Sequence, residues 1–371
     1  MKRCGIFVFY DEHGIVEPYV DFLLKSILEV LDKLIIVING EVEPREREKL
    51  YQYSKNVFQR RNIGYDGGAY KDVFTYFLKN ENWDQWDEIL LMNDTFYGPF
   101  YQWTEIFKLM DGSKCDFWGL SQHPGGPENF FGGEIISPHI QSYFILVKRK
   151  MFTHPSFISF WEKMNYPQNF KEAVKKFEIY FSEYFSGIGF KFESWLDVKL
   201  KQYKNLTPFD TNDMEILIKD FKFPVLKRKA YMLQNYIGLK RLFIYLEDNN
   251  AYLLNVMKKD LYKRCIDGKL SPYNPYELLK FCGKHEEIYL FGMGRYAQNI
   301  EQFLMDFGKQ VNGYIVSKAV TQRNNVYEIN DFSVKPGQGV IVTLNQKNCG
   351  EVNRIITEKI PLQHVFFPTY D

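Results

Sequence analysis

Apolar residues in the first ninety or so positions follow two alternating rhythms. Short, nearly unbroken runs, "GIFVFY" (5–10), "KLIIVING" (33–40), "NVFQR" (56–60) and "WDEILLMND" (86–94), are rich in β-branched and aromatic residues and predict buried strands. Between them the apolar positions space out. Val20, Leu23, Leu24, Ile27, Leu28 and Leu31 recur at helical intervals, and "REREKLYQYS" and "GAYKDVFTYFLKN" read as the next two helices. Alternation of this kind, with strands apolar along their length rather than at every second residue, predicts a mainly parallel sheet covered on both faces. Ligands of such sheets gather at the carboxyl ends of the strands.

The rhythm loosens after residue 95. "CDFWGL" (115–120) and "QSYFILVKRK" (141–150) read as strands, but "SQHPGGPENFFGGEIISPHI" between them holds too much Gly and Pro for regular structure. Helical spacing continues to about residue 245, through "FKEAVKKFEIYFSEYF". A second strand–helix series opens at "EIYLFGMGRYAQNIEQFL" (287–304) and runs on through "VNGYIVS", "GVIVTL" and "HVFFP". At 371 residues the chain exceeds what one core usually holds, roughly 250–300 residues. The expected organisation is α/β: a larger domain at 1–235, a helical connection at 236–285 and a small Rossmann-like domain at 286–371.

Charge and cysteine content narrow the classes. With 47 basic and 46 acidic side chains the chain lacks the basic excess of a duplex-nucleic-acid binder. Its five cysteines are scattered and form no CxxC pair, so neither a disulfide framework nor a thiolate zinc site is expected. No stretch approaches the ~20 apolar residues of a membrane span, and "MKRCGIFVFYDEHG" lacks the apolar core of a signal peptide. The expectation is a cytoplasmic protein. Only "FKFPVLKRKAYMLQNYIGLKRLFIYL" (221–246), which interleaves Lys222, Lys227, Arg228, Lys229, Lys240 and Arg241 with large apolar groups, suggests peripheral contact with the inner face of a membrane. The same basic residues would also suit snorkelling around a buried core.

Two passages carry candidate chemistry. "RNIGYDGGAYKD" (61–72) places Gly64, Gly67 and Gly68 between a strand and a helix, where unpaired backbone N–H groups favour an anion. Arg60 and Arg61 would pair with a diphosphate, and Asn62 and Asp66 with a base or ribose. A second reading leaves the glycines as a simple turn, Asp66 as a helix cap and the arginines solvated. "EILLMNDTFYGPF" drives a buried strand into Asn93, Asp94 and Thr95, delivering a carboxylate where Mg²⁺ or Mn²⁺ would bridge it to phosphate oxygens; Asp94 is the candidate ligand. An Asn-Asp pair after a strand also serves as an ordinary turn.

"RNIGYDGGAYKD", "LLMNDTFYGPF", "CDFWGL" and "HIQSYFILVKRK", in this order and at these separations, resemble the rhamnan synthesis protein F family of bacterial polysaccharide glycosyltransferases, over roughly residues 1–220. The resemblance implies a GT-A-like nucleotide-sugar-binding domain, a nucleoside-diphosphate sugar donor, and a polysaccharide or lipid-linked glycan acceptor. It assigns Asn62, Gly64, Asp66 and Gly68 to the donor loop and Asp94 to the metal or diphosphate. Asn93, Asp94 and Thr95 stand where GT-A enzymes often carry Asp-x-Asp, with one acid missing. Trp118 and Gly119 fall where the sugar and acceptor cleft is lined, with Trp118 stacking on a pyranose, although a Trp in an apolar run also suits a core. His139, Gln141 and Ser142 would face the donor sugar, His139 being an alternative metal ligand or else a surface strand-end histidine.

Inverting transfer needs a general base near the acceptor hydroxyl. Glu178 and Glu183 lie on one helix, five apart, so they point in different directions. The resemblance favours Glu178, which follows Phe177 where the family pattern has Tyr; Glu183 is the second candidate, and both would also suit a solvated helix face. In "GMGRYA", Gly292, Gly294 and Ala297 sit in the context of a dinucleotide fingerprint, but Ser317 and Lys318 stand where an acid would hold the ribose. No NAD is expected, and the domain resembles small Rossmann-like modules attached to polysaccharide-assembly enzymes. The sequence thus points to a glycosyltransferase moving a sugar, plausibly rhamnose or another deoxyhexose. Two other readings stay open, a non-catalytic nucleotide-sugar- or glycan-binding subunit and an NAD-linked enzyme using the C-terminal domain.

Overall fold

In the computed structural model, residues 1–200, 211–230, 235–266, 273–318, 325–344 and 346–368 are described. Two units emerge: Met1–Pro208 with Leu217–Arg228, and Phe209–Ile216 with Lys229–Asp371.

The first unit opens as the apolar rhythm predicts. Strands β1 (Arg3–Phe9), β2 (Lys33–Asn39), β3 (Asn56–Arg60) and β4 (Glu88–Asn93) alternate with helices α1 (Pro18–Ile27), α2 (Pro44–Tyr51) and α3 (Tyr65–Asp72). α1 starts at a proline, whose missing N–H costs nothing in the first turn, and buries Tyr19, Val20, Leu23, Leu24 and Ile27. After β4 the chain forms β5 (Phe96–Tyr97), helix α4 (Trp103–Asp111) and β6 (Phe117–Gly119). The Gly- and Pro-rich stretch becomes short strands, β7 (Gln122–His123), β8 (Gly126–Glu128), β9 (Glu134–Ile136) and β10 (His139–Ile140). The chain then returns as β11 (Phe144–Lys148), followed by β12 (Phe192–Ser194) and β13 (Leu226–Lys227).

The main sheet runs β12-β6-β11-β4-β1-β2-β3. β1 pairs in parallel with β2 and β4, and β2 with β3, whereas β11 lies antiparallel between β4 and β6. That reversal follows from the 122–140 excursion, which carries the chain back from the carboxyl end of β6 without a crossover helix. Apolar strands are explained by cover on both faces. One face bears Tyr70, Phe74, Phe157, Trp161, Phe177 and Phe181, and on β11 Phe144 meets Trp103, Phe107 and Trp118. The high aromatic content therefore serves the core first.

The second unit holds β14 (Glu287–Phe291), β15 (Gly313–Val316), β16 (Val326–Glu328), β17 (Gln338–Val342) and β18 (Val365–Phe366), all parallel, in the order β16-β15-β14-β17-β18. This is a small Rossmann-like sheet. The stretch read from the sequence as a connection contains the helices Tyr236–Asn249, Ala251–Ile266 and Pro275–Gly283. Tyr273, Leu278 and Cys282 share a core with Ile288, Leu290 and Ala297, so this stretch helps to build the second unit.

The segment read as a lipid-facing strip is largely used inside each unit. Phe223, Val225 and Leu226 are buried in the first, Leu239, Leu242 and Leu246 in the second, and Lys240 pairs with Asp306 at 2.7 Å. Residues 231–234 of that strip lie outside the described residues. No helix among the described residues is long and apolar enough to cross a membrane.

Candidate active site

Polar side chains of the first unit collect at the carboxyl rim of the sheet. β4 is buried along its whole length, so Asn93 and Asp94 reach the rim while remaining almost fully enclosed. Asn93 is a junction. Its Nδ2 donates to Asp66 Oδ2 (3.0 Å), and its Oδ1 accepts from the Thr95 N–H (3.2 Å) and Oγ1 (2.7 Å). The two passages singled out in the sequence, 61–72 and 93–95, are thus joined by a direct hydrogen bond.

The entry to α3 is tightly braced. Gly64 turns the chain at φ 80°, and Tyr65 follows at φ 57°, a conformation costly for a bulky residue. Asn39 Nδ2 holds the Tyr65 carbonyl (2.9 Å), and Arg60 donates to Asn39 Oδ1 (2.6 Å), Asp72 Oδ2 (2.5 Å) and the Ile63 carbonyl (2.7 Å). Arg60 is therefore a brace within the fold, not the diphosphate ligand expected of it, while Arg61 and Asn62 are exposed on the turn.

The glycines here differ from expectation. A Cβ on Gly67 would press into the Phe177 ring, and one on Gly68 would collide with the Ile63 carbonyl oxygen. Their N–H groups are already engaged, Gly67 by Asp66 Oδ1 (2.9 Å) and Gly68 by the Gly64 carbonyl (2.7 Å). Close packing of α3 accounts for Gly67 and Gly68, and the anion cradle expected at this helix end is absent at these two residues.

Beside Asp66 stands a second polar group. A π-helical turn, Val174–Ile179, presents Glu178 to Ser142, whose N–H (2.8 Å) and Oγ (2.6 Å) both donate to Oε2. His139 donates from Nδ1 to the Ser137 carbonyl (2.8 Å), leaving Nε2 facing Glu178 Oε1 at 3.7 Å, and its ring stacks on His123. Gln141 Oε1 accepts from Ser121 Oγ (2.7 Å), which also meets the Tyr143 hydroxyl (2.6 Å). His139 and Gln141 are both buried, so the surface alternative for His139 does not hold.

Electrostatics separates the three acids. Burial pushes Asp66 up to about 6, against the hydrogen bonds from Asn93 and Gly67, and the nearby Glu178 charge raises it further. Burial also pushes Asp94 to about 6, with Arg228 and the Tyr19 hydroxyl pulling the other way. For Glu178 burial acts in the same upward direction, but His139, the Lys227 charge and the Ser142 donors outweigh it and hold the carboxyl at about 2. These neighbours favour the ionised form of Glu178, in which it is a weak base. Tyr70 adds a buried hydroxyl without a hydrogen-bond partner, its ionisation suppressed by burial and by Asp66 and Asp94.

Sequence reasoning missed two residues of this rim. β13 pairs antiparallel with β5, matching Lys227 to Phe96, and the Arg228 N–H donates to the Thr95 carbonyl (2.9 Å). Lys227 Nζ lies 4.6 Å from the Tyr143 ring centroid, and Arg228 Cζ lies 4.6 Å from that of Tyr19, whose hydroxyl donates to Asp94 Oδ2 (3.3 Å). Their basic, aromatic-rich neighbourhood was a signal, but it pointed to lipid.

Two further candidates are displaced. Trp118 is 1% exposed and packs against Phe107 and Phe144, so its ring has no face free for a sugar. Glu183 is exposed on the helix Tyr180–Gly187, whereas Glu178 is drawn into the rim.

A sequence profile of the rhamnan synthesis protein F family matches residues 34–281, more than half of the chain. The chain belongs to the rhamnan synthesis protein F family. An uncharacterised protein, y4gN, of Sinorhizobium fredii is 25% identical over 210 residues, 54% of this chain and 51% of its own. The chain thus spans about half the length of this curated relative. Among solved structures, a 4-diphosphocytidyl-2C-methyl-D-erythritol synthase from Anaerococcus prevotii is 12% identical, with 52% of this chain and 86% of that one covered and a TM-score of 0.33. A protein described as a nucleotide-diphospho-sugar transferase from Desulfovibrio desulfuricans is 14% identical, at 69% and 98% coverage and a TM-score of 0.31. Core-mannan synthase A from Aspergillus fumigatus, in its Mn/GDP form, is 7% identical, at 52% and 73% and a TM-score of 0.29. In this family member the sheet is mainly parallel, as expected from the sequence, with β11 reversed between β4 and β6.

The divalent ion expected at Asp94 would find a single acid there, already engaged by its neighbours, and would draw its other ligands from phosphate and water. Among the described residues no group of three or more His, Cys, Asp or Glu is placed to hold a metal. Asp94 already accepts from Tyr19 and lies in the field of the Arg228 guanidinium, which opposes a second cation. His139, the alternative ligand, faces Glu178 with the ring nitrogen left over from Ser137.

Proposed function

We propose that this chain is a glycosyltransferase that moves a sugar from a nucleoside-diphosphate donor to a glycan acceptor, by displacement at the carboxyl rim of the first unit. Membership of the rhamnan synthesis protein F family supports this, and the donor sugar would then be rhamnose or another deoxyhexose and the acceptor a cell-surface polysaccharide precursor. The observation that carries the reading is the Asp66–Asn93 hydrogen bond, which joins the α3 entry and the end of β4 into one acid-lined rim.

Burial raises both Asp66 and Asp94 toward neutral pH; Asp94 is engaged by the Tyr19 hydroxyl and the Arg228 charge, which leaves Asp66 as the proton acceptor. In the proposed step the acceptor hydroxyl gives its proton to Asp66 while its oxygen bonds to the anomeric carbon. The bond from that carbon to the phosphate oxygen breaks, and the diphosphate leaves with the electron pair. Glu178, held ionised by Ser142 and His139, keeps Asp66 basic through like-charge repulsion. The sugar contact expected of Trp118 falls to exposed aromatics beside α3: Phe130 (46% exposed) and Phe170 (48%) make edge contacts with each other, and Phe170 with Tyr65.

The test is release of nucleoside diphosphate by the full chain from uridine, guanosine and thymidine diphosphate sugars, deoxyhexoses included. Asp66→Asn should lower turnover by about a hundredfold or more, the size of a general-base contribution, and leave donor affinity nearly unchanged. Undiminished turnover in that variant would remove Asp66 from the role, and donor binding without turnover in the parent would favour a non-catalytic binding subunit.

A further inference from the structure

Departure of a nucleoside diphosphate brings two to three negative charges, roughly, to a rim that already holds Asp66, Asp94 and Glu178. Something cationic must offset them, and Asp94 is a single acid already engaged by its neighbours. We propose that Lys227 and Arg228 form the diphosphate clamp of the donor site and supply the charge that a metal supplies in a two-acid site. This rests on the donor-site reading above.

Two geometric features carry it, with an electrostatic pairing beside them. First, the β13–β5 pairing and the Arg228 N–H bond to the Thr95 carbonyl fix the main chain of both cations directly beside the 93–95 turn. Second, each side chain rests on an aromatic ring that is itself tied to the site, Lys227 on Tyr143 and Arg228 on Tyr19. A guanidinium's forked N–H donors suit paired phosphate oxygens, and the lysine acts as a point charge. Beside this geometry, the Lys227 charge acts on Glu178 and the Arg228 charge on Asp94. Asp94 then positions Arg228 through Tyr19, a role that one acid can fill. That accounts for an Asn-Asp-Thr sequence where a metal site would favour two acids. When the anomeric carbon–oxygen bond breaks, the electron pair stays on the diphosphate, and the clamp stabilises that charge with no proton transfer.

Calorimetric titration of the full chain with UDP, GDP and dTDP, in EDTA and again in excess Mn²⁺, tests the proposal. At least one diphosphate should bind in EDTA with an affinity within about threefold of that in Mn²⁺. Arg228→Ala and Lys227→Ala should each weaken it about tenfold, or ~1.4 kcal/mol, and Arg228→Lys should fall between. Thermal melts check that each variant is folded; if an alanine variant is not, Arg228→Lys and Lys227→Gln carry the comparison. Binding that vanishes in EDTA and returns with Mn²⁺ overturns the clamp while sparing the donor site, as does unchanged affinity in folded variants. If no diphosphate binds in either condition, the donor-site reading falls with it.

Discussion

Asp66, Asp94 and Glu178 share one rim yet titrate in opposite directions, because burial prevails at the first two while donors and cations prevail at the third. Each shift has a sign in stability. Asp94 has a folded value of about 6, above the ordinary aspartate value, so the folded state keeps a proton that the unfolded chain releases. Its contribution is full below about pH 4 and is lost as pH rises through 6. Asp94→Asn should therefore stabilise the protein by about 2 kcal/mol near pH 7.5, with the gain disappearing toward pH 4, as read by denaturant melts across that range. Glu178, held at about 2, contributes stability that is present above the ordinary glutamate value and lost as pH falls toward 2. Glu178→Gln should cost about 2 kcal/mol near pH 7.5; an unchanged midpoint there would mean that Ser142 and His139 do not hold the carboxylate. The sequence offered Asp66 and Asp94 because polar residues stand out where apolar strand runs end, and Ser142 and Glu178 through the family resemblance. It did not reveal their ionisation, which depends on neighbours distant along the chain, as Arg228 is from Asp94.

At the scale of elements, α3 shows what its glycines are for. Gly68→Ala should destabilise the protein by about 1–3 kcal/mol, because the new methyl meets the backbone carbonyl of Ile63 and nothing flexible can yield. Gly112→Ala is the control. It ends α4 at φ −80°, and no atom lies within 4 Å of where its new methyl would sit. That change should be neutral or gain about 0.4–1 kcal/mol by restricting the unfolded chain. Urea midpoints of the two variants decide; a neutral Gly68→Ala would reopen the phosphate-cradle reading. Strands β1 to β4 were legible because each buries both faces and so carries an unbroken apolar signature. The π-helical turn at Val174–Ile179 was not, since one extra residue per turn leaves the composition unchanged while rotating Glu178 into the rim and leaving Glu183 outside it. Strands of two residues, such as β5 and β13, carry no periodicity to read.

Across the whole molecule the proposed chemistry lies in the first unit and the fingerprint-like "GMGRYA" in the second, at the start of the helix Arg295–Asp306. Gly294→Asp, which sets a charge at that helix start, should leave nucleoside-diphosphate affinity within about twofold, less than ~0.4 kcal/mol, and NADH should not shift the parent's melting temperature. A donor affinity that falls with this variant, or a clear NADH shift, would bring the second unit into the function. Alone, the sequence determined the two α/β series, the parallel sheet and the passages that end its strands, because burial on two faces and helical spacing are written locally in the order of apolar residues. Tertiary structure decided which polar residues meet. Lys227 and Arg228 reach the rim only through a strand pair closed between distant parts of the chain, Trp118 is claimed by the core, and each acid takes its proton affinity from the groups that folding packs around it.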